Sequence, residues 1–466
     1  MANYLLVDIG STYTKLTAVD SNKIDIIATS KHYTTIESDV RIGYYKAKED
    51  LEKKLGYEIN FDRILASSSA AGGLKMAAIG LVESLTVEAA KRVCLNAGGK
   101  VDLIFSHKLT KAEVAQIKIE NIDIILLAGG TDGGNSEVVI HNARMLGLGG
   151  VDIPIIYAGN KSCVDEVKEI FAEFSLDGYI CANVMPKLNE LNIDPAKEII
   201  KKIFLKNIIE AKGISNFSKE INTEILPTPH VVLKAAELLS LGYLDEEGLG
   251  ESILLDIGGA TTDMYSYTRG LPKGINTILH GLEEPYSKRT VEGDLGMRYS
   301  AVGIVSALTE EELYKYKKAG FDLILAAKYR KSDVELIPTT KEDELLDLKL
   351  AEIAANISMS RHVGTIKTVY TPVGTMYYQV GKDLTSIKSI IGTGGVIVNT
   401  KYPELIFEKL KTNLNKPEEL RPKEANYYLD NDYIISAMGL LSLEEPLLAL
   451  KIMKKRIKRI ENGIKK

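Results

Sequence analysis

Asp8-Ile9-Gly10-Ser11-Thr12-Tyr13-Thr14-Lys15, near the start of the chain, and Asp256-Ile257-Gly258-Gly259-Ala260-Thr261-Thr262-Asp263, past its middle, follow one plan. In each, an apolar strand ends in an aspartate and a glycine stands two residues on. Small or hydroxyl-bearing residues follow, and a second strand returns. One such turn alone reads as an ordinary hairpin. Two of them with aspartates 248 residues apart (256 − 8) lie too far apart for a solenoid repeat. They fit duplication of a domain, with a ligand between the copies.

The residue types point to phosphate and metal. Gly10, Gly258 and Gly259 let the backbone turn its amides toward an anion. Ser11, Thr12, Thr14, Thr261 and Thr262 add hydroxyl donors around Ala260, and Lys15 adds a point charge that can reach a phosphate. Asp8 and Asp256 would repel phosphate, so a Mg²⁺ held by both, partly through water, is the expected mediator. A third turn, Gly392-Thr393-Gly394-Gly395, follows the apolar run Ile390-Ile391. Its glycines would let a base or sugar lie against the backbone, which makes it the expected adenosine contact; a plain strand–turn is the other reading. No GxxxxGK[ST], GxGxxG or HExxH occurs, which excludes the P-loop, the dinucleotide fingerprint and the zincin site.

Composition sets the outer bounds. A chain of 466 residues with 45% hydrophobic and 26% charged residues implies two to four ordinary globular domains. Its formal charge of −5 implies no general nucleic-acid surface. The charge is uneven: residues 451–466 hold eight Lys/Arg and one Glu (+7), leaving −12 on the rest. Ile452, Ile457, Ile460 and Ile464 suggest that this tail is an amphipathic helix, either docking on an acidic partner or solvated. Cys94, Cys163 and Cys181 contain no CxxC pair, which argues against disulfide, zinc or iron–sulfur chemistry. Met1–Val7 is too short for a signal peptide, and no apolar run is long enough to span a bilayer. The expected location is cytoplasmic, without a membrane.

Periodicity divides the chain further. A β-meander opens it. Leu74, Ala77, Ala78, Leu81, Val82 and Leu85 then predict an amphipathic helix, with Thr86 capping another through Val93. Residues 121–180 alternate buried strands with helices, the rhythm of a parallel α/β unit. Thr228 and Pro229 read as the N-cap and first residue of a helix. The strand–turn–strand pattern restarts at Ile253. The division expected is 1–100, first half of lobe I; 101–225, an inserted α/β domain; 226–252, a return helix; and 253–466, lobe II with C-terminal helices.

The order DIGSTYTK, DIGGATTD, IGTGG resembles the phosphate-1, phosphate-2 and adenosine motifs of the actin/Hsp70/sugar-kinase ATPases. Further segments resemble the glutamate mutase accessory proteins of the GlmL or MutL type, unrelated to the mismatch-repair protein of similar name. They are Ala66–Val93, Leu126–Asn135 (LLAGGTDGGN), Ile155–Asn160 (IIYAGN), Asn183–Lys197 (NVMPKLNELNIDPAK) and Arg289–Arg298 (RTVEGDLGMR). The resemblance implies an α/β fold of duplicated actin-like (ribonuclease H-like) ATPase domains with an inserted α/β domain. It also implies ATP and Mg²⁺ as cofactors and a slow, partner-stimulated ATPase. That enzyme would reactivate an adenosylcobalamin-dependent mutase, binding its subunits and meeting cobalamin through them. Hydrolysis would let the lobes move and release damaged cobalamin. A small-molecule kinase and an actin-like filament protein remain the alternatives.

Three features allow two readings each. Glu292 and Asp294 read either as catalytic acids that orient water or hold magnesium, or as a pair stabilising a helix N-terminus. Gly129–Asn135 follows a parallel strand, where α/β proteins bind ligands, and could equally be a structural turn. The Ser67–Gly73 run reads as a helix cap or a phosphate contact.

Overall fold

The computed structural model describes residues 3–10, 13–35, 39–69, 74–97, 99–210, 214–372 and 374–460. They fall into two compact units, Met1–Val232 and Leu233–Lys466.

In the first unit, β1 (Asn3–Ile9), β2 (Tyr13–Asp20) and β3 (Asp25–Tyr33) form an antiparallel meander. Helix α1 (Val40–Leu55) starts where the Asp39 carboxylate accepts from the Arg41 amide, and it ends at Gly56 in the left-handed region. β4 (Arg63–Ser68) then pairs parallel to β1.

The chain next builds an all-parallel sheet. Its strands are β5 (Lys75–Gly80), β6 (Lys100–Ser106), β7 (Ile124–Leu127), β8 (Ile155–Tyr157) and β9 (Gly178–Ile180). The order across it is β6-β5-β7-β8-β9, or 2-1-3-4-5, the flavodoxin-like arrangement. Five helices accompany these strands: α2 (Glu88–Asn96), α3 (Lys111–Ile119), α4 (Glu137–Leu148), α5 (Val164–Glu173) and α6 (Asp194–Glu210). Helices α3, α4 and α5 bury Val114, Ala143 and Ile170 on one face, against Ala77, Ile125 and Ile155. α2 and α6 pack on the other face. Helix α7 (Ile214–Glu220) and β10 (Ile225–Pro227) return to the first sheet, where β10 pairs parallel to β4. That sheet reads β10-β4-β1-β2-β3.

The expected helix over Leu74–Leu85 is not formed. Lys75–Gly80 is a strand, buried at every position from Met76 to Gly80, and it lies between β6 and β7. A run buried on both faces has no polar side to reveal a period of two, so helical spacing matched it by chance. Thr86 likewise does not start a helix. It sits in a π-turn, Glu83–Val87, and its hydroxyl accepts from the Leu81 and Val82 amides.

The chain leaves this unit along α8 (Thr228–Leu241), and a short hairpin of β11 (Gly242–Tyr243) and β12 (Glu246–Glu247) follows. The second unit then repeats the opening plan. β13 (Ser252–Ile257) and β14 (Thr262–Tyr267) are antiparallel, while β15 (Thr277–Leu279) belongs to a separate small sheet. β16 (Ser287–Glu292) pairs antiparallel to β14. Helices α9 (Ala301–Ser306), α10 (Glu310–Lys318), α11 (Leu323–Ser332) and α12 (Lys341–His362) follow. β17 (Thr365–Thr371) and β18 (Gly374–Val380) complete the small sheet with β15. β19 (Ser389–Thr393) pairs parallel to β13, and β20 (Asn426–Leu429) pairs parallel to β19. Between them lie α13 (Gly395–Asn399) and α14 (Pro403–Glu408); α15 (Ile435–Leu441), α16 (Pro446–Arg456) and β21 (Lys458–Arg459) end the described chain.

The main sheet runs β16-β14-β13-β19-β20-β21. Both units therefore carry strands in the order 3-2-1-4-5, with strands 1, 4 and 5 parallel and strand 2 reversed. This is the α/β class with a duplicated actin-like plan that the sequence predicts. α12 crosses the main core, burying Leu348, Ala351, Ala355 and Met359 beside Ile253, Leu255 and Met264.

The basic tail is not one amphipathic helix. α16 stops at Arg456, Ile457 is extended and buried, and β21 adds to the sheet beside β20. The Ile460 amide donates to the Tyr427 carbonyl, so Ile457 and Ile460 follow a sheet edge instead of a helical stripe, while Ile452 is buried within α16. Ile464 lies outside the described residues.

Candidate functional site

The two aspartate–glycine turns close alike. The Gly10 amide donates to the Tyr13 carbonyl at 3.0 Å, and the Gly258 amide donates to the Thr261 carbonyl at 2.9 Å. Asp8 faces Lys15 across the β1–β2 pair, and Asp256 faces Asp263 across β13–β14. On the other flank Asp8 neighbours Ser67, and Asp256 neighbours Thr393. Ser11 and Thr12 lie outside the described residues, as do Ala70–Gly73.

In the first unit Asp8 is buried. Its Oδ1 accepts from the Thr228 hydroxyl at 2.8 Å and from the Ser67 hydroxyl at 3.3 Å. Thr228 stands in the first turn of α8, where its hydroxyl meets a carboxylate 220 residues away. Thr14 lies beneath the turn, fully buried, with its hydroxyl on that of Thr34.

In the second unit the Arg289–Arg298 segment folds over the turn. The Met297 amide donates to the Gly258 carbonyl, the Arg298 amide to the Gly259 carbonyl and the Ser300 hydroxyl to the Ala260 carbonyl, all within 3.0 Å. Gly296 must be glycine here, since a Cβ would stand 2.3 Å from the Ala260 carbonyl. The Thr261 hydroxyl donates to Asp263, whose other oxygen receives Nε and Nη2 of buried Arg289 at 3.0 and 2.7 Å. Thr262 is buried, and its hydroxyl donates to the Leu295 carbonyl.

The third turn reaches the same place. A Cβ on Gly394 would lie 2.4 Å from the Ile257 carbonyl and 2.9 Å from Asp256 Oδ1. Gly394 has φ 95°, which glycine adopts freely. The Thr393 hydroxyl donates to buried Asp430, which also accepts from the Ile434 and Ile435 amides. Gly392 packs against the Phe407 ring, while Gly395 has open space around it. The second unit thus gathers Asp256, Gly258–Thr261 and Gly394 at one sheet edge.

Glu292 and Asp294 stand at the end of β16 and just beyond it, ahead of α9 and not on its first turn. Arg361, near the end of α12, donates Nη1 to Glu292 at 2.7 Å and binds Asp294 through both Nη atoms at 2.7 and 2.9 Å. The two carboxylates raise the Arg361 pKa further, Asp294 more than Glu292. His362 is fully buried. Loss of solvent, together with nearby Lys288 and Lys382, holds its pKa well below the usual imidazole value.

Residue order did not single out Thr228 as an Asp8 partner, nor Arg289, Arg361 and Asp430 as partners of the acids around the second turn. For Arg289 the available signal was its place at the head of the quoted Arg289–Arg298 segment. The Gly129–Asn135 loop is gripped by two buried asparagines. Asn160 accepts from the Gly133 amide at 2.9 Å, and Asn183 donates to the Gly130 carbonyl and to Asp132, both at 3.0 Å. Three of the quoted segments therefore meet at the carboxyl ends of β7, β8 and β9. All three cysteines are free thiols, and burial pushes Cys181 up to about 12. Among the described residues no three His, Cys, Asp or Glu side chains gather as a metal site, and no helix is long and apolar enough to cross a membrane.

A family model described as MutL protein matches residues 4–457. Protein MutL of Clostridium tetanomorphum is 51% identical over 462 residues, covering 99% of this chain and all of that one. Solved structures with remote likeness include a glycerol dehydratase reactivase (11% identity, TM-score 0.35, 95% of this chain and 99% of that one). Another is the ethanolamine utilization protein EutJ of Carboxydothermus hydrogenoformans (11% identity, TM-score 0.31, 95% and 89%). A third is the xylulose kinase of Bifidobacterium adolescentis (10% identity, TM-score 0.32, 99% and 95%).

Proposed function

We propose, from the premise that the chain belongs to the MutL protein family, that it is an ATP-dependent accessory factor of an adenosylcobalamin-dependent mutase. In this reading it binds ATP with Mg²⁺, hydrolyses it slowly, and couples turnover to release of damaged cobalamin from the mutase. The observation that carries the nucleotide part is the repeated turn. Two sheets that share the strand order 3-2-1-4-5 each carry an aspartate one residue before the end of strand 1, and a glycine amide two residues past it closes the turn onto the carbonyl three positions further on, Tyr13 or Thr261. Backbone of this kind suits phosphate, and Asp8 and Asp256 suit a hydrated divalent cation. Open space around Gly395 suits a flat base or sugar. Magnesium would supply charge neutralisation at the phosphates.

The mutase part rests on family membership and on the three segments at the β7–β9 edge, which the nucleotide reading leaves without a role. Purified chain is expected to release phosphate from ATP, faster when mutase subunits carrying inactivated cobalamin are added. Phosphate found on a small acceptor would favour a kinase instead. Turnover unaffected by Asp8→Ala and Asp256→Ala would sink the nucleotide assignment.

A further inference from the structure

We infer that Arg361 is a positioning residue, which fixes Glu292 and Asp294 beside the second glycine turn and acts on nucleotide turnover through them. The inference rests on the reading that this turn handles ATP. Its root is unusually well anchored. Residues 288, 290 and 292 share one face of β16, and the end of α12 holds all three. The His362 carbonyl accepts from Lys288 Nζ at 2.8 Å, His362 Nδ1 pairs with the Thr290 hydroxyl at 2.9 Å, and Arg361 takes Glu292. His362 Nε2 also reaches the Ser266 hydroxyl on β14 at 2.8 Å, so the imidazole pins α12 to two strands. From that anchor the guanidinium extends to both acids, and its two-pronged grip on Asp294 is one a lysine ammonium cannot reproduce.

Glu292 and Asp294 matter to the turn through the backbone that follows them. The Ser300 hydroxyl ties the Gly293 carbonyl at 2.6 Å and the Ala260 carbonyl at 2.9 Å. The Met297 and Arg298 amides hold Gly258 and Gly259. α12 grips this segment a second time, since Asp347 accepts from Arg298 Nη2 at 2.9 Å. One rigid helix therefore sets both ends of the strap lying on the turn. The Arg361 side chain is 39% exposed, and an ion pair so open to water adds little to fold stability. Its effect belongs to geometry more than to stability.

Steady-state ATP turnover of the unaltered chain, Arg361→Gln, Arg361→Lys, Glu292→Gln and the Arg361→Gln/Glu292→Gln double variant tests this. Arg361→Gln is expected to lower kcat about 10-fold, with KM for ATP changed less than about 2-fold. Arg361→Lys should recover part of the loss, and the double variant should lose less than the product of the two single losses. Thermal unfolding of each variant checks that it folds; Arg361→Lys keeps the test open if Arg361→Gln does not. Wild-type kcat in Arg361→Gln, or losses that multiply in the double variant, overturn the inference. An unaltered chain that turns over no ATP overturns the nucleotide reading, and this inference with it.

Discussion

Asp8 is braced by two neutral hydroxyls, Ser67 and Thr228, and faces a lysine across its strand pair; Asp256 faces a second carboxylate, Asp263, which a buried arginine holds. The backbone plan is the same in the two turns while the charge at the matching position is reversed. Asp8 and Lys15 sum to zero. Asp256, Asp263 and Arg289 sum to −1, and Glu292, Asp294 and Arg361 add a further −1. Duplication kept the strand order and the turn, and left each copy a different electrostatic task. On the proposed reading, Lys15 is the cation that the first turn would offer to a phosphate. The charges named around the second turn sum to −2, so on the proposed reading Asp256 is the aspartate whose loss should weaken a divalent metal more.

The largest expected effect separates the matched positions 15 and 263. Asp263→Ala leaves the Arg289 guanidinium buried without its carboxylate, and such losses run to about 3–5 kcal/mol. Lys15→Ala removes a partly exposed charge and should cost about 0.5 kcal/mol or less. Urea unfolding of both variants reads the difference, and equal costs would erase the contrast. Next, Asp8→Asn and Asp256→Asn should each cut ATP turnover about 100-fold. The Mg²⁺ concentration for half-maximal rate should rise more for Asp256→Asn; a larger rise for Asp8→Asn would reverse that order.

A smaller effect concerns pH. His362 stays neutral in the folded chain well below the usual imidazole pKa, whereas the unfolded chain takes up a proton near pH 6.5. Stability contributed by the neutral ring is thus full above about pH 6.5 and falls as pH drops, by about 1.4 kcal/mol per unit. His362→Gln should flatten that part of a stability-against-pH curve. The smallest effects test the hydroxyl braces: Ser67→Ala and Thr228→Val should each cost about 0.5–1.5 kcal/mol, read by thermal unfolding. If neither changes ATP turnover, the braces serve the fold alone.

Some of this could be read from residue order and some could not. The turns were legible because aspartate, glycine and hydroxyl residues are local chemistry, visible in eight consecutive letters. The parallel sheet was legible from Ile122–Ala128 and Ile153–Tyr157, apolar runs closed by glycine. Its first strand was not, since Lys75–Gly80 is buried from Met76 onward and carries no alternation. The tail misled for a related reason: Ile457 and Ile460 fit a helical stripe, yet the open edge of β20 had backbone groups to satisfy, and sheet pairing won. Arg361 and Asp430 were illegible in principle. Each meets its partner across a long stretch of chain, 69 residues for Arg361–Glu292 and 37 for Asp430–Thr393, and no spacing rule connects them.

The return of β10 to β4 has a consequence for how the protein is made. Asp8 leaves the ribosome 220 residues before Thr228, a delay of about 10–40 s at ordinary synthesis rates. In that interval the whole 2-1-3-4-5 sheet is translated and can fold. The first glycine turn therefore has its Ser67 brace early but lacks the Thr228 brace until the nested sheet is made and β10 returns to β4. A mutation that slows folding of residues 75–180 would be felt first at a site that none of those residues touches in sequence, as nascent chains whose amino-terminal turn is assembled late or not at all.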